Sequence, residues 1–318
     1  MNEFSLIDTF FKAEALARDD VLVGIGDDAA CLRVPADCDL LVSTDTLVSG
    51  VHFPSDCKPW DIGWKAVMVN VSDMAAMAAK PCWLSLALTL PSLDLQWLEQ
   101  FSAGLHAALK YYSIALIGGD TTHGPLSITI TIHGLAPAGR AVRRNTAKAG
   151  DTIWVSGELG AAAQAVALLQ SNQKSAEIDR KILLDKLNHP QPRIDLLPLI
   201  RDFASAAIDI SDGLAADLGH IAHQSQLGAT LFKDAVPVHP LVKKFQHDQA
   251  VNFALTGGDD YELCFTVSPS QLESFIRESA QNNLQCVQIG KMEFAKGLRL
   301  ADKEGVISPL TAKGYTHF

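Results

Sequence analysis

The sequence predicts a two-domain protein of the α/β (α+β) class. Its 318 residues exceed the ~100–200 of a usual single domain. Runs rich in Val, Ile, Leu and Thr alternate with segments of helical period. Near the middle, the polar and basic stretch AGRAVRRNTAKAGD (138–151) breaks the hydrophobic rhythm, as a domain joint does. The expected division is therefore 1–137 and 138–318.

Taken in order, residues 4–18 space apolar and polar side chains as a short amphipathic helix does. LLVSTDTL (40–47) and LSITITIHGLAP (126–137) read as strands. Between them, DIGWKAVMVNVSDMAAMAAKP (61–81) predicts a long helix, capped by Asp61 and stopped before Pro81. LDLQWLEQFSAGLHAALKYY (93–112) predicts another, followed by the strand IALIGG (114–119). DTIWVSGELG (151–160) opens the second half, with a helix from Ala161 to Leu169, a strand SAAIDIS (205–211), a helix GLAADLGHIAHQS (213–225) and a strand ELCFTV (262–267). The stretch SNQKSAEIDR (171–180) is expected to be flexible.

Composition narrows the function. Lys and Arg number 26 against 36 Asp and Glu, a net charge of −10, which argues against nucleic acid or an anionic membrane as the main partner. The first residues, MNEFSLIDTFFKAEALARDD, lack a basic n-region and a small-residue cleavage site, so no signal peptide is expected. No uncharged apolar run reaches the ~18 residues of a spanning helix. The six cysteines show no CxxC spacing, so reduced thiols in a cytoplasmic protein are the better expectation than zinc or a redox pair.

What stands out is a recurring Asp beside Gly, Ser or Thr, set against apolar sequence. GIGDDAACL holds Asp27 and Asp28, VSTDTL Asp45, VSDMA Asp73, IGGDTT Asp120, DISDG Asp209 and Asp212, and TGGDDYE Asp259 and Asp260. One such stretch alone is an ordinary turn. Asp73, however, lies inside a predicted helix of apolar character, with Asn70 one turn earlier on the same side. A carboxylate there needs a partner. No cluster carries its own Lys or Arg, so a cation from solution is the natural one. Carboxylates with the hydroxyls of Ser43, Thr44 and Ser211 are all-oxygen donors, which select Mg²⁺ or Ca²⁺. The sequence has neither an EF-hand loop nor a P-loop nor a kinase glycine loop. Any nucleotide would therefore be held through metal ions, with Gly118 and Gly119 allowing close approach of the backbone. Arg143 and Arg144 are candidate cations, or else a solvated basic loop.

Seven motifs in order, GIGDDAA, STDTLVSGVHF, VNVSDMAAMAA, LIGGDTT, GRAVRRNTAKAGD, DISDGLAADLGHI and GGDDYELCF, resemble the thiamine-monophosphate kinase family from about Phe4 to the terminal GYTHF. That family is itself similar to aminoimidazole ribonucleotide synthetase. The resemblance implies an N-terminal ATP/Mg-binding and dimerisation domain whose sheet forms a shared barrel in a homodimer, and a C-terminal α/β sandwich. It implies transfer of a phosphoryl group from ATP to thiamine phosphate by direct in-line attack, with several Mg²⁺ ions and no general base. It implies Asp28, Ser43, Thr44, Asp45, Asp73, Asp120, Asp209 and Asp212 as metal ligands, and Gly119, Asp120, Arg144 and Ser211 as ATP contacts. His52, Asp259 and Tyr315 would line the thiamine phosphate pocket. One position departs: the family usually has Glu where this chain has Asp259. The alternatives are a synthetase-type ATP-dependent ligase or cyclase, and a non-catalytic divalent-cation-binding protein.

Overall fold

The computed structural model describes residues 3–171 and 175–316. The chain divides into two compact units, one of residues 1–74 and 79–140, the other of residues 75–78 and 141–318.

In the first unit, helix α1 (Glu3–Ile7) continues as a π-helical stretch, Asp8–Lys12. Strands β1 (Val21–Val23) and β2 (Cys31–Leu32) pair antiparallel and present the GIGDD sequence as the loop between them. Then follow β3 (Cys38–Val48), α2 (Pro59–Ala76), β4 (Lys80–Leu90), α3 (Leu95–Tyr112), β5 (Ala115–His123) and β6 (Ser127–Pro137). Their sheet has the order β3-β6-β4-β5, antiparallel except for β4 with β5.

Alternation along β6 explains how this sheet sits. Ile128, Ile130 and Ile132 are fully buried, while Thr129 and Thr131 point to the opposite, open face. There they bond to Thr46 and Thr44 of β3 at 2.8 and 2.9 Å, a cross-strand hydroxyl ladder. The covered face meets α2: Ser43 donates to Asp73, and a Cβ on Gly134 would collide with the Met74 sulfur. Helix α3 crosses α2 at two glycines. A Cβ on Gly63 would run into the Phe101 carbonyl, and one on Gly104 into that of Trp60.

The second unit contains β7 (Thr152–Val155), α4 (Ala161–Gln170), α5 (Glu177–Asn188), α6 (Leu197–Phe203), β8 (Ala204–Asp209), α7 (Leu214–Gln224), β9 (Gly228–Phe232), α8 (Pro240–Gln246), α9 (Ala250–Thr256), β10 (Leu263–Val267), α10 (Leu272–Gln281), β11 (Val287–Glu293), β12 (Gly297–Ala301) and β13 (Ile307–Leu310). The seven strands run β13-β12-β9-β11-β7-β10-β8, with β12 and β9 the parallel pair. Ile153 and Val155 enter one apolar cluster with residues of α7 and α9, and Trp154 enters another with α6 and Phe275 of α10. Period-two alternation thus places helices on both faces of the sheet.

Several expectations need correction. Helical structure at the N-terminus ends at Lys12, not near residue 18. The long helix starts at Pro59, whose missing N–H costs nothing in a first turn, so Asp61 lies within that turn instead of capping it. Pro81 does not follow a helix; it lies in β4, before that strand's pairing with β5 begins at Trp83. Strand β4 was not assigned from the sequence, although LSLALTL (84–90) alternates: its four leucines are buried, while Ser85 and Thr89 are half-buried and Ala87 is exposed. In the stretch expected to be flexible, residues 172–174 lie outside the described residues, and from Glu177 onward the chain is the helix α5.

The two glycine crossings generate the first prediction. Gly63→Ala and Gly104→Ala should each destabilise the protein by roughly 1–3 kcal/mol, the usual cost of overpacking. Because the obstacles are backbone carbonyls, no side-chain rotation relieves them. Chemical denaturation of the two variants measures the loss.

Candidate functional site

In the first unit, Ser43 and Asp45 lie on the covered side of β3 with the buried Leu41 and Leu47, facing α2. Ser43 Oγ donates to Oδ2 of Asp73 at 2.5 Å. Burial, with the neighbouring Asp73 carboxylate, pushes Asp45 up to about 6. Two acids are thus held together. Asn70 is fully buried one turn before Asp73, and its amide donates to the Ala66 carbonyl at 2.9 Å. The Thr44 side chain is not part of this cluster. Strand alternation turns it to the open face and its bond with Thr131.

A cavity of about 600 Å³ in the same unit gathers Asp27 and Asp28 of the GIGDD loop with Gly118, Gly119 and Asp120 of β5. Gly119 is required there, because a Cβ would meet the Leu86 carbonyl of the adjacent strand. Phe4, Ile7 and Phe11 supply an apolar wall. The loop also acquires a cation: a Cβ on Gly26 would lie 2.9 Å from Lys12 Nζ. Sequence distance hid that neighbour. His52 follows β3, with its Nδ1 accepting the Val48 N–H at 2.9 Å.

In the second unit, β8 delivers Asp209, which is buried, and the DISDG turn leads into α7. Asp212 meets two residues that the sequence reading missed: ligand atoms of Asp212, Asp217 and His220 all lie within 4.8 Å of one another. Asp217 Oδ2 accepts the N–H groups of Asp212 and Gly213, both at 3.1 Å. Burial and the Asp212 charge push Asp217 up to about 7, while these N–H groups and Arg144 pull the other way. The signal for Asp217 was available: an acid in the first turn of a helix whose Gly213 start offers no capping side chain.

The TGGDDYE segment is stitched to this same turn. Asp259 N–H donates to the Ser211 carbonyl at 2.8 Å and Tyr261 N–H to that of Ile210 at 2.9 Å. Asp260 is buried and receives the Gly160 N–H on both oxygens, at 2.9 and 2.8 Å; burial raises it well above the usual carboxylate range. Glu262 accepts from Ser156 and pairs with Arg193 at 2.9 Å. Finally, the Tyr315 N–H donates to the Asp212 carbonyl at 3.1 Å. Ser211, Asp212, Asp259 and Tyr315 therefore belong to one neighbourhood, with Arg144 near its Asp217 side.

Residues 26–136 match the N-terminal domain of AIR synthase related proteins, and residues 148–303 match the C-terminal domain. The chain is 48% identical to a thiamine-monophosphate kinase of Salmonella typhimurium over 99% of this chain and 98% of that one. Its fold is similar to the crystal structure of thiamine-monophosphate kinase from Stenotrophomonas maltophilia, with a TM-score of 0.86 and 45% identity over 94% and 96% of the two chains. It is also similar to AaThiL complexed with AMPPCP and TMP, with a TM-score of 0.80 and 32% identity over 99% and 97%.

The crowding of Asp45 against Asp73 has a measurable consequence. A carboxylate raised from 3.8 to about 6 holds its proton longer when folded than when unfolded, so stability falls as pH rises through that window. In metal-free protein, Asp45→Asn should raise the melting temperature at pH 8 and change it little at pH 4. The gain at pH 8 is on the order of 1–3 kcal/mol. Thermal scans in EDTA at both pH values check it.

Proposed function

The chain belongs to the thiamine-monophosphate kinase family of AIR-synthase-related proteins, and from this we infer that it phosphorylates thiamine phosphate with ATP, giving thiamine diphosphate and ADP. The observation that carries the reading is the bringing together of the acidic turns into cavities and clusters, each beside a glycine or basic residue suited to phosphate. Full-length similarity to kinases favours it over a synthetase-type ligase or a passive cation binder.

In the first unit we assign Asp28, Ser43, Asp45, Asp73, Asp120 and the Thr44 main chain to magnesium, and Gly119 and Asp120 to ATP. The donors are oxygens only, and the upward shift of Asp45 beside Asp73 supports the reading, because a divalent cation would relieve that repulsion. The apolar wall of Phe4, Ile7 and Phe11 suits the nucleotide's base. In the second unit we assign Asp209 and Asp212 to magnesium, Arg144 and Ser211 to ATP, and Asp259 and Tyr315 to thiamine phosphate. Family resemblance alone supports His52 as a further substrate contact.

The acceptor is a phosphate monoester, whose second pKa of about 6 leaves it largely dianionic at neutral pH. No side chain need remove a proton from it. The barrier is repulsion between two polyanions, and bound magnesium would supply the neutralising charge and the in-line alignment. The residues of this chain hold the donors in place: β3 and α2 fix Ser43, Asp45 and Asp73, and Gly119 lets the backbone approach phosphate.

A homodimer is part of the proposal. Strand β3 is a sheet edge, and Leu40 and Val42 on its open face are 44% and 56% exposed. A second copy of this sheet would cover them. The six free cysteines suit a reducing compartment, here the cytoplasm. Among the described residues, no helix is long and apolar enough to cross a membrane.

A coupled assay should show ADP release with thiamine phosphate and none with free thiamine. Activity should vanish in EDTA and return with Mg²⁺ or Mn²⁺. Equal turnover of free thiamine, or activity on formylglycinamidine ribonucleotide alone, contradicts the proposal. Asp259→Ala should raise KM for thiamine phosphate and leave KM for ATP nearly unchanged. Loss of one charged hydrogen bond predicts about a ten- to hundredfold fall in kcat/KM. A lower melting temperature with both KM values unmoved would instead make Asp259 a turn residue.

A further inference from the structure

The loop that carries Asp259 is unusual in its backbone. Asp259 and Tyr261 both adopt left-handed conformations, at φ 67° and 51°, although neither is glycine. Such outliers persist only where the surroundings over-determine them, and they cluster at functional sites. Here the constraints are explicit. Asp260, between the two, is clamped on both oxygens by the Gly160 N–H. The N–H groups of Asp259 and Tyr261 bond to Ser211 and Ile210, and the Ile210 N–H returns to the Glu262 carbonyl at 2.7 Å. A Cβ on Gly258 would strike the Ser211 carbonyl, so the loop lies flush on that strand end. The left-handed turn at both positions brings the Tyr261 hydroxyl back to Oδ1 of Asp259, where it donates at 3.0 Å. Tyr261 is itself only 8% exposed, so its phenol is fixed by packing.

We propose that Tyr261 is a positioning residue for substrate recognition, its hydroxyl presetting the Asp259 carboxylate that receives the cationic ring system of thiamine phosphate. The proposal rests on the kinase reading above. Asp has few side-chain torsions to search and a short reach. A bond that fixes one carboxylate oxygen turns the short side chain into a preorganised acceptor, which lowers the ordering cost of binding.

Tyr261→Phe removes only the hydroxyl and keeps the packing. The expected result is a rise of about three- to tenfold in KM for thiamine phosphate, the worth of one hydrogen bond. kcat, KM for ATP and melting temperature should stay within error of the unaltered enzyme. In an Asp259→Ala background the same substitution should have no further effect on KM, since the group it positions is gone. An unchanged KM in Tyr261→Phe, or an equal loss in both backgrounds, overturns the proposal. So does a parallel change in every parameter together with a lowered melting temperature. Absence of thiamine phosphate turnover in the unaltered enzyme would overturn the kinase reading, and this inference with it, so the control tells the two failures apart.

Discussion

Carboxylates held close to one another, against burial and mutual repulsion, are the constraint on which the rest of the molecule depends. Asp45 faces Asp73 across a strand–helix contact, and Asp212 faces Asp217 across the start of a helix. A chain left to its own stability would separate such pairs. Here each is fixed by main chain on both sides: β3 and α2 for the first, the β8–α7 turn for the second. The sheets serve as rigid supports that keep like charges together.

The neutral neighbours of these acids follow from the same constraint. Ser43 donates to Asp73 and backbone N–H groups donate to Asp217, which stabilises negative charge without neutralising it. An Arg or Lys in those places would bind the carboxylate permanently. Cations stand further out, as Lys12 over Gly26 and Arg144 near Asp217 do. That arrangement suits a site that must hold anionic substrates and release them.

Much of this was legible in the sequence, and the gaps have physical causes. The strands β3 and β6 were readable because one face is buried and the other open, and α3 because Leu98, Phe101, Leu105 and Leu109 recur at helical spacing. Strand β4 was passed over although LSLALTL alternates, because it directly follows the alanine-rich helical run that was read as continuing to Pro81. The aspartates were found as a set through their repeated setting of Gly, Ser and Thr. Asp217 escaped because a lone acid in a helix first turn looks like a favourable dipole partner and nothing more. For Thr44 the sequence could not separate side chain from main chain: the pleat sends its hydroxyl to the other face, away from Ser43 and Asp45.

The order of the seven-stranded sheet also governs how the second unit can be made. Strand β7 lies inside the sheet, yet both its neighbours come late, β10 beginning at Leu263 and β11 at Val287. A nascent chain that has emerged as far as α9 holds this central strand, Thr152–Val155, without either of its native neighbours. Local helices can form meanwhile, but closure of the sheet waits for long-range pairing, which is slow and leaves apolar surface open. The apparatus that places Asp259 beside Ser211 thus comes into being almost last, when β10 docks between β7 and β8. The loop that holds Asp259 and the closed sheet depend on the same late strand, β10.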